Sequence, residues 1–423
     1  MKLLIYGGGG REHTLAWKLQ ASPEVDEVLV TPANGGMEDA FSTLSMADQG
    51  LDQLAVRAEE EEIDLTVVGP EAPLAEGIVD SFQQRGLRIF GPDRRAAIIE
   101  GSKVFAKELM DKHGIPTGGF RVFDDSIEAR AFLDSFSGPV VVKAEGLAAG
   151  KGVVVASDGQ QASQAVKKIM DDRAFGAAGE RVLVEEFIKG EEASILALTD
   201  GEDFLTLAAS QDHKAAYDGD RGPNTGGMGA FSPAPIIDAE LETRIEKEIL
   251  RPTLRAMKSE GRSYRGVLYA GLMITPEGDP MVLEFNCRFG DPETQAVIPR
   301  LEDDLLPAMM ATIEGGVGGF SLSWDQRVAL CVIMASGGYP VDYTTGYPLQ
   351  GLDELALGED LLVFHAGTRK EEGQLVTDGG RVLGVTALAD GFPAARDKAY
   401  RAVERINFKD CHYRKDIGSR AVN

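Results

Sequence analysis

Residues 139–156 read PVVVKAEGLAAGKGVVVA, two apolar runs that flank a glycine-bearing loop. Short β-branched runs on both sides of such a loop predict a β-hairpin. The loop is not a P-loop, because its Gly-Lys pair comes one residue early and Gly152 stands where Ser or Thr is required. We predict a flap that folds over phosphates, with Lys143 and Lys151 supplying positive charge. A lysine that ends so apolar a strand needs an anionic partner.

The N-terminal hundred residues alternate short apolar runs with amphipathic stretches, which predicts a parallel sheet with crossover helices. The first loop, GGGGREH at 7–13, is a poor dinucleotide fingerprint, because Glu12 takes the third glycine position and no acidic residue ends the second strand. Backbone N–H groups at a helix start beside Arg11 and His13 favour a phosphate instead. A tight turn without a ligand remains the alternative.

Two further segments carry candidate binding groups. VLVEEFIKGEEAS at 182–194 ends a strand in Glu-Glu-Phe, which suits an adenine edge, although a solvated strand end has the same pattern. QDHKAAYDGDRGPNTGGMGAFSPAP at 211–235 combines ionic side chains with four glycines in eight residues. Close approach of the backbone to a ligand is the physical reason for such glycines. An elaborate structural loop is the alternative there.

MVLEFNCRFGDPETQ at 281–295 places Glu284 and Asn286 two residues apart at the end of an apolar strand. Alternation directs both side chains to one face, which Arg288 continues. Carboxylate and amide oxygens suit Mg²⁺, which takes few protein ligands and completes its shell with phosphates and water. The alternative is a carboxylate that is satisfied by a neighbouring arginine.

The composition restricts the class of protein. The 423 residues carry a formal net charge of −25, which argues against a nucleic-acid partner. Three widely spaced cysteines predict neither a disulfide framework nor a thiolate zinc site. No stretch approaches the ~18 apolar residues of a membrane span, and nothing resembles a signal peptide. We expect a cytoplasmic protein that binds neither nucleic acid nor membrane.

In this order the segments resemble those of the phosphoribosylamine–glycine ligases, also called glycinamide ribonucleotide synthetases, within the ATP-grasp superfamily. The most specific matches are SQDHK with GPNTGGMG, and EFNCRFGDPETQ. GGGGREH, DLTVVGPEAPLAEGIVD, EGSKVFAKELM and the C-terminal RKDIGSRA extend the resemblance over essentially the whole chain. Departures are small: TPANGG stands where the family tends to have PGNAG, and Tyr6 and Gly8 vary the first loop.

The resemblance implies a multidomain fold of the α/β and α+β classes. An N-terminal parallel α/β domain at 1–100 would hold the phosphate-bearing substrate. A two-lobed ATP-grasp core would occupy 101–318, with its flap lobe at about 117–190. A small C-terminal αβ domain at 319–423 would close over the site.

The resemblance also implies roles for individual residues. The implied ATP-binding residues are Lys103, Lys143, Gly150, Lys151, Gly152, Glu185, Phe187, Ile188 and Glu192. The implied substrate-binding residues are Gly9, Gly10, Arg11, Pro70, Glu71, Asp212, Lys214, Gly226, Gly227, Met228 and Arg288. Glu284 and Asn286 match the metal ligands. The expected catalytic residues are Lys143, Arg288 and Asp212.

The implied reaction uses ATP, Mg²⁺ or Mn²⁺, glycine and 5-phosphoribosylamine, and we expect a monomer. A carboxylate is a poor acyl donor, so ATP would convert glycine to glycyl phosphate, which a flap at 145–152 would protect from water. One alternative is another ATP-grasp ligase, such as a carboxylase for an aminoimidazole or biotin substrate. Another is a nucleotide-binding regulatory protein without turnover, which an ADP-release assay would identify.

Overall fold

The structure, a computed structural model, describes residues 1–45, 50–148 and 152–422. It begins with a parallel sheet in the order β3-β2-β1-β4-β5. The strands are β1 Lys2–Tyr6, β2 Glu27–Thr31, β3 Ser42–Thr43, β4 Leu65–Val68 and β5 Ile89–Phe90. The helices are α1 Gly10–Gln20, α2 Met37–Ala40, α3 Leu51–Glu60, α4 Glu71–Glu76, α5 Ile78–Gln84 and α6 Arg94–Gly101. The predicted parallel sheet is confirmed.

A second, antiparallel sheet has the order β6-β9-β7-β8. Its strands are β6 Phe120–Phe123, β7 Val140–Ala144, β8 Val153–Ala156 and β9 Val182–Glu186. The helices here are α7 Lys103–His113, α8 Ser126–Asp134 and α9 Gly159–Val166, which continues as a π-helical turn, Lys167–Asp171. A 3₁₀ turn spans Gly176–Gly179. The hairpin predicted from residues 139–156 is confirmed, because β7 and β8 pair in antiparallel register.

The next part of the chain contributes to several sheets. Its strands are β10 Glu191–Thr199, β11 Phe204–Thr206, β12 Gln211–Asp212, β13 Ala215–Tyr217, β14 Arg221–Asn224, β15 Gly229–Ser232, β16 Gly266–Ile274 and β17 Pro280–Asn286. The helices are α10 Ala239–Ile245 and α11 Arg251–Ser259, joined by the π-helical turn Glu246–Leu250, then α12 Glu293–Val297 and α13 Leu305–Glu314. Short 3₁₀ turns span Ile298–Arg300 and Val317–Gly319. β16 and β17 pair in antiparallel register within a sheet of the order β11-β10-β16-β17.

The final part contains β18 Val328–Ala335, β19 Leu361–His365, β20 Thr368–Glu371, β21 Gln374–Thr377, β22 Arg381–Ala389 and α14 Phe392–Val403. Its 3₁₀ turns are Leu352–Glu354 and Ser419–Ala421. The main sheet has the order β12-β15-β18-β22-β19. Two strands from the 211–235 segment thus belong to the C-terminal sheet. This arrangement was not predicted, because a two-residue strand leaves no periodic signal in a sequence.

The hydrophobic cores show which parts pack together. One core joins Leu4 and Leu54 of the first sheet region to Leu268 and Phe285 of β16 and β17. The lobe with β6–β9 has a separate core. That lobe is therefore packed as a unit of its own over the cavity described below. Within the described ranges, no helix has both the length and the apolar composition to cross a membrane.

Candidate active site

A cavity of about 510 Å³ lies where these parts meet. Most of the residues singled out from the sequence line it: Arg11, Glu71, Lys103, Lys143, Gly152, Glu185, Phe187, Ile188, Glu192, Asp212, Lys214, Gly226, Glu284, Asn286 and Arg288. The lining does not include Gly9, Gly10, Pro70, Gly227 or Met228. Gly150 and Lys151 lie outside the described residues. Residues far apart in the sequence thus converge on one space.

At one end of the cavity, Glu185 is buried between two lysines. Its Oε2 lies 2.9 Å from the Nζ of Lys143 and 2.9 Å from the Nζ of Lys107. Burial would raise the pKa of Glu185, but Lys143 and Lys107 lower it, so the carboxylate stays ionised and accepts hydrogen bonds only. Its Oε1 is buried without a hydrogen-bond partner in the described part of the chain. An amino group such as that of adenine would satisfy this oxygen, so the residues present fit ATP.

Lys103 begins α7 and ties this helix to the start of the predicted flap. Its Nζ donates to the carbonyl oxygen of Gly146 at 2.9 Å, and its backbone N–H donates to that of Glu145 at 3.1 Å. Arg181 Nε donates to the Glu145 carboxylate at 2.7 Å. Burial lowers the pKa of Lys103. The base of the flap is therefore held by charged groups, and the lysine lies beside the cavity where phosphates would need it.

Glu284 and Asn286 both line the cavity from β17. Burial would raise the pKa of Glu284, but Lys214, Lys143, Lys103 and Arg288 lower it to about 2. Among the described residues, no group of three or more His, Cys, Asp or Glu side chains is arranged to hold a metal. One carboxylate and one amide fit a divalent cation that takes its other ligands from phosphates and water.

Arg288 enters the cavity between two carboxylates. Its Nε lies 3.3 Å from Glu71, and its Nη2 lies 3.1 Å from Glu100. Glu100 also accepts a hydrogen bond from the backbone N–H of Cys287 at 2.7 Å. Burial raises the pKa of Glu100, against the effect of Arg288. These contacts fix the guanidinium in place while leaving it accessible from the cavity.

The first glycine loop is shaped by Glu12. Its carboxylate accepts a hydrogen bond from the backbone N–H of Gly9 at 2.8 Å and one from Arg11 Nε at 2.6 Å. A Cβ added at Gly69 would lie 1.9 Å from Glu12 Oε1, so the neighbouring loop must approach without a side chain. Glu12, which stands where the dinucleotide pattern requires a glycine, therefore caps helix α1. It also occupies one N–H group that a phosphate would otherwise use, and it directs Arg11 toward the cavity.

The 211–235 segment contributes charged groups from the opposite side. Lys214 Nζ lies 3.4 Å from Glu284 and 3.6 Å from Glu192. Asp212 is 5% exposed, and burial raises its pKa to about 8, with Glu293, Glu192 and Glu284 acting in the same direction and Lys214 against it. His213 points away from the cavity lining, and burial lowers its pKa to about 4.

The C-terminal sheet supplies groups that were not predicted from the sequence. Arg381 Nη1 donates to the carbonyl oxygens of Gly226 at 2.7 Å and Asp291 at 2.8 Å, and Nη2 pairs with the Asp291 carboxylate at 3.0 Å. Tyr339 accepts the Gly226 N–H at 3.1 Å. Arg381 Nη1 also lies 3.4 Å from the carbonyl oxygen of Gly227, so two neighbouring glycines of the GPNTGGMG segment are held by a residue more than 150 positions away. No local pattern marks such a residue.

Comparison with protein-family models identifies three consecutive matches. They are the phosphoribosylglycinamide synthetase N domain at residues 1–100, its ATP-grasp (A) domain at 101–294 and its C domain at 329–420. The phosphoribosylamine–glycine ligase of Allochromatium vinosum is 51% identical over 424 residues, covering 100% of this chain and 99% of that one. The chain belongs to the phosphoribosylamine–glycine ligase family. The enzyme of that name from Ralstonia nicotianae is 50% identical, with 100% of both chains covered.

Solved structures agree with this membership. A phosphoribosylamine–glycine ligase from Thermotoga maritima has a TM-score of 0.85 at 33% identity, covering 99% of this chain and 100% of that one. A biotin carboxylase from Campylobacter jejuni has a TM-score of 0.73 at 14% identity, covering 100% and 95%. That second likeness concerns the fold alone. The resemblance inferred from the sequence motifs, and the multidomain ATP-grasp fold that it implied, are confirmed.

Proposed function

We propose that this chain, as a phosphoribosylamine–glycine ligase, joins the carboxylate of glycine to the amine of 5-phosphoribosylamine in de novo purine biosynthesis. The products are glycinamide ribonucleotide, ADP and phosphate. The observation that carries the proposal is the single cavity in which an ATP-like end, a pair of oxygen ligands and a fixed arginine adjoin the Asp212–Lys214 segment. Similarity over the full chain to enzymes of that name supports it.

The first step activates glycine. Glu185 Oε1 accepts a hydrogen bond from the adenine amino group. The strand end at Phe187 and Ile188 flanks the base, and Glu192 lies toward the ribose. Lys103, Lys143 and Gly152 face the phosphates. Gly150 and Lys151, which lie outside the described residues, stay predicted members of the flap. Glu284 and Asn286 hold Mg²⁺ or Mn²⁺, which when bound neutralises phosphate charge. A carboxylate oxygen of glycine attacks the terminal phosphorus, which gives glycyl phosphate and ADP, and Arg288 stabilises the charge that develops.

The second step forms the amide bond. The amine of 5-phosphoribosylamine attacks the acyl carbon, and inorganic phosphate leaves with the former carboxylate oxygen. Arg11 and Glu71 hold the phosphate-bearing substrate, while Gly226 approaches it from the other side. The cavity lining does not include Gly9, Gly10, Pro70, Gly227 or Met228, which belong to the loops that position these three residues. The flap excludes water from the acyl phosphate. No covalent bond to the enzyme is needed.

The chain divides into the ranges 1–100, 101–318 and 319–423, with a flap lobe at about 117–190. The separate core of that lobe supports its assignment as a distinct lobe. The protein acts as a monomer in the cytoplasm, without a nucleic-acid or membrane partner. Its strongly negative net charge supports the absence of a nucleic-acid partner.

Product identification tests the function. Purified protein is supplied with ATP, Mg²⁺, glycine and freshly made 5-phosphoribosylamine, and the products are identified by mass spectrometry. Glycinamide ribonucleotide and ADP in equal amounts are expected, with neither formed when glycine is omitted. Carboxylation of an aminoimidazole ribonucleotide or biotin in a parallel reaction would instead identify a carboxylase. ATP binding without any ADP release would identify a regulatory protein.

A further inference from the structure

The flap lobe joins the rest of the chain at two crossings that lie side by side. The first runs through Thr117 and Gly119, between α7 and β6, and the second follows Glu186 at the end of β9. The backbone N–H of Glu186 donates to the carbonyl oxygen of Gly119 at 2.8 Å. Because this lobe has a hydrophobic core of its own, its angle to the rest of the molecule depends on contacts near these crossings.

Lys107 connects the two sides of the crossings. It lies on α7, outside the lobe, and is only 3% exposed. Its Nζ lies 2.9 Å from Oε2 of Glu185, which belongs to the lobe, and donates to Oγ1 of Thr117 at 2.8 Å. The Thr117 hydroxyl in turn donates to the carbonyl oxygen of Val282 on β17 at 2.7 Å. A chain of hydrogen bonds thus runs from Glu185 to the strand that carries Glu284.

A second chain joins the same carboxylate oxygen to the same strand. Lys143, on β7 of the lobe, lies 2.9 Å from Glu185 Oε2 and donates to the carbonyl oxygen of Leu283 at 3.0 Å. The two lysines thus lead to consecutive carbonyl groups of β17, one from outside the lobe and one from within it. Hydrogen bonds of buried, charged groups are strong and directional. The position of Glu185 is therefore fixed relative to β17.

The helix α7 contacts the lobe at two points. Lys103 and Lys107 are four residues apart, so they share one face of the helix. Lys103 Nζ donates to the carbonyl oxygen of Gly146 at the base of the flap, whereas Lys107 holds Glu185 at the end of β9. Two separate contacts on one rigid helix define an orientation, which a single contact does not.

We propose that Lys107 and Thr117 are positioning residues that form the pivot of the flap lobe, an inference that rests on the proposed function. Lys107 acts through Glu185, and Thr117 acts through β17. Together they keep the adenine end of ATP in register with the metal ligands on β17. Without the pivot the lobe would settle at another angle, and a displacement of about 1 Å between reacting groups lowers the rate roughly 100-fold.

The first pair of variants tests the link to β17. Thr117→Val removes the hydroxyl but keeps the size of the side chain and the Lys107–Glu185 ion pair. We expect kcat to fall about 10-fold or more, while the Kd for ATP, measured by calorimetry without glycine, stays close to the wild-type value. Thr117→Ser keeps the hydroxyl and should have nearly wild-type kcat. A residue needed only for packing would show the reverse order, because valine fills the space better than serine.

The second pair tests the link to Glu185. Lys107→Met should raise the Kd for ATP about 10- to 100-fold, the range for a hydrogen bond to a charged group, and Lys107→Arg should recover part of this loss. GTP has a carbonyl where ATP has the amino group, so its Kd should change little and the preference for ATP should fall. The KM for glycine should stay the same. Lys112→Met, an exposed lysine on the same helix, is the matched control and should change none of these values.

Three results would overturn the pivot. The first is a kcat for Thr117→Val equal to that of the wild type, and the second is a valine variant more active than the serine variant. The third is an equal weakening of ATP and GTP binding by Lys107→Met, since the lysine would then act on the phosphates and not through Glu185. Wild-type protein that binds ATP but forms no product would reject the proposed function, while the Kd values would still decide the role of Lys107. Thermal unfolding checks each variant, and the Thr117 pair decides alone if Lys107→Met does not fold.

Discussion

At the scale of single residues, burial decides what each charged group in the cavity can do. Glu185 stays ionised because two lysines contact the same oxygen, and its other oxygen is then free to accept. An acceptor at this position favours the amino group of adenine over the carbonyl oxygen of guanine. Lys107 is essential to this arrangement, and it lies one helical turn after Lys103 on α7.

The roles of some cavity side chains could be predicted from the sequence, and the roles of others could not. Lys143 was predictable, because a lysine at the end of the apolar run VVVK needs an anionic partner. Glu284 and Asn286 were predictable from strand alternation. The roles of Glu12, Glu100 and Arg381 were not predictable. Glu12 stands where the dinucleotide pattern has a glycine, and Glu100 and Arg381 contact segments that are distant in the sequence. Such roles depend on packing, which local patterns do not encode.

Glu284→Gln tests the metal ligand. The substitution keeps the size of the side chain but removes the charge that attracts a divalent cation, so kcat should fall about 100-fold or more. Steady-state ADP release at saturating substrates measures it, and circular dichroism checks the fold. Glu277→Gln, an exposed change on the turn of the same hairpin, should keep wild-type activity. A near-normal rate for Glu284→Gln at ordinary Mg²⁺ concentration would contradict the assignment.

At the scale of elements, the C-terminal RKDIGSRA segment contacts the hairpin β13–β14, whose ends lead to Lys214 and Gly226. Arg414 Nη1 donates to the carbonyl oxygen of Ala215 at 3.1 Å and to Asp220 at 2.9 Å. Asp416 accepts the backbone N–H of Gly219 at 2.8 Å. The resemblance included this segment without giving it a role. The structure indicates that it stabilises the hairpin whose ends line the cavity.

Arg414→Met tests this coupling. Losing a fully buried arginine should loosen the hairpin, and kcat should fall about 10- to 100-fold, because small displacements of reacting groups are costly. The KM for ATP should change little, since the nucleotide end of the cavity is formed by other elements. Arg401→Met, an exposed arginine on α14, is the control and should have wild-type rates. Equal losses in both variants would argue against a specific role for the tail.

The flap between β7 and β8 stays a prediction, since residues 149–151 lie outside the described ranges. Its base is held by Lys103, Glu145 and Arg181, so only the tip is expected to respond to nucleotide. Hydrogen exchange of peptides covering residues 145–153 should slow on addition of MgATP, while peptides from α8 should exchange as before. Unchanged exchange at 145–153 would count against a lid.

At the scale of the whole molecule, shared cores join the parts that the sequence divides. Leu4 and Phe285 belong to one core, and β15 pairs with β18 across the boundary predicted at residue 318. The fold class was predictable because each strand and loop has a local signature. The membership of β12 and β15 in the C-terminal sheet was not predictable, because it depends on long-range pairing of short segments. We therefore expect the N-terminal and core parts to unfold together.

Buried histidines link the stability of the whole chain to pH. Burial lowers the pKa of His13 to about 3, and its ring packs against Phe41, Phe364 and His365. Burial also lowers the pKa of His365 to about 4. Because these values lie below the ordinary 6.5, the unfolded chain binds more protons. The stabilisation is complete above about pH 6.5 and is lost as the pH falls toward 4.

His13→Gln tests this linkage. Each buried histidine contributes at most about 1.4 kcal/mol per pH unit to the slope of stability against pH. Urea unfolding at several values between pH 5 and pH 7 should therefore give a flatter slope for the variant than for the wild type. The difference in slope isolates the histidine from the carboxyl groups that titrate in the same molecule. Identical slopes would mean that His13 is protonated to the same extent in both states.

The central claim is that glycine is activated as glycyl phosphate in this cavity, and an oxygen label tests it most directly. One carboxylate oxygen of glycine must leave with the phosphate if an acyl phosphate forms. Glycine labelled with ¹⁸O in its carboxylate should therefore deliver one labelled oxygen to each inorganic phosphate released, with ADP as the other product. Mass analysis of the phosphate after turnover provides the measurement. Unlabelled phosphate, or labelled AMP with pyrophosphate, would contradict the account even if glycinamide ribonucleotide were formed.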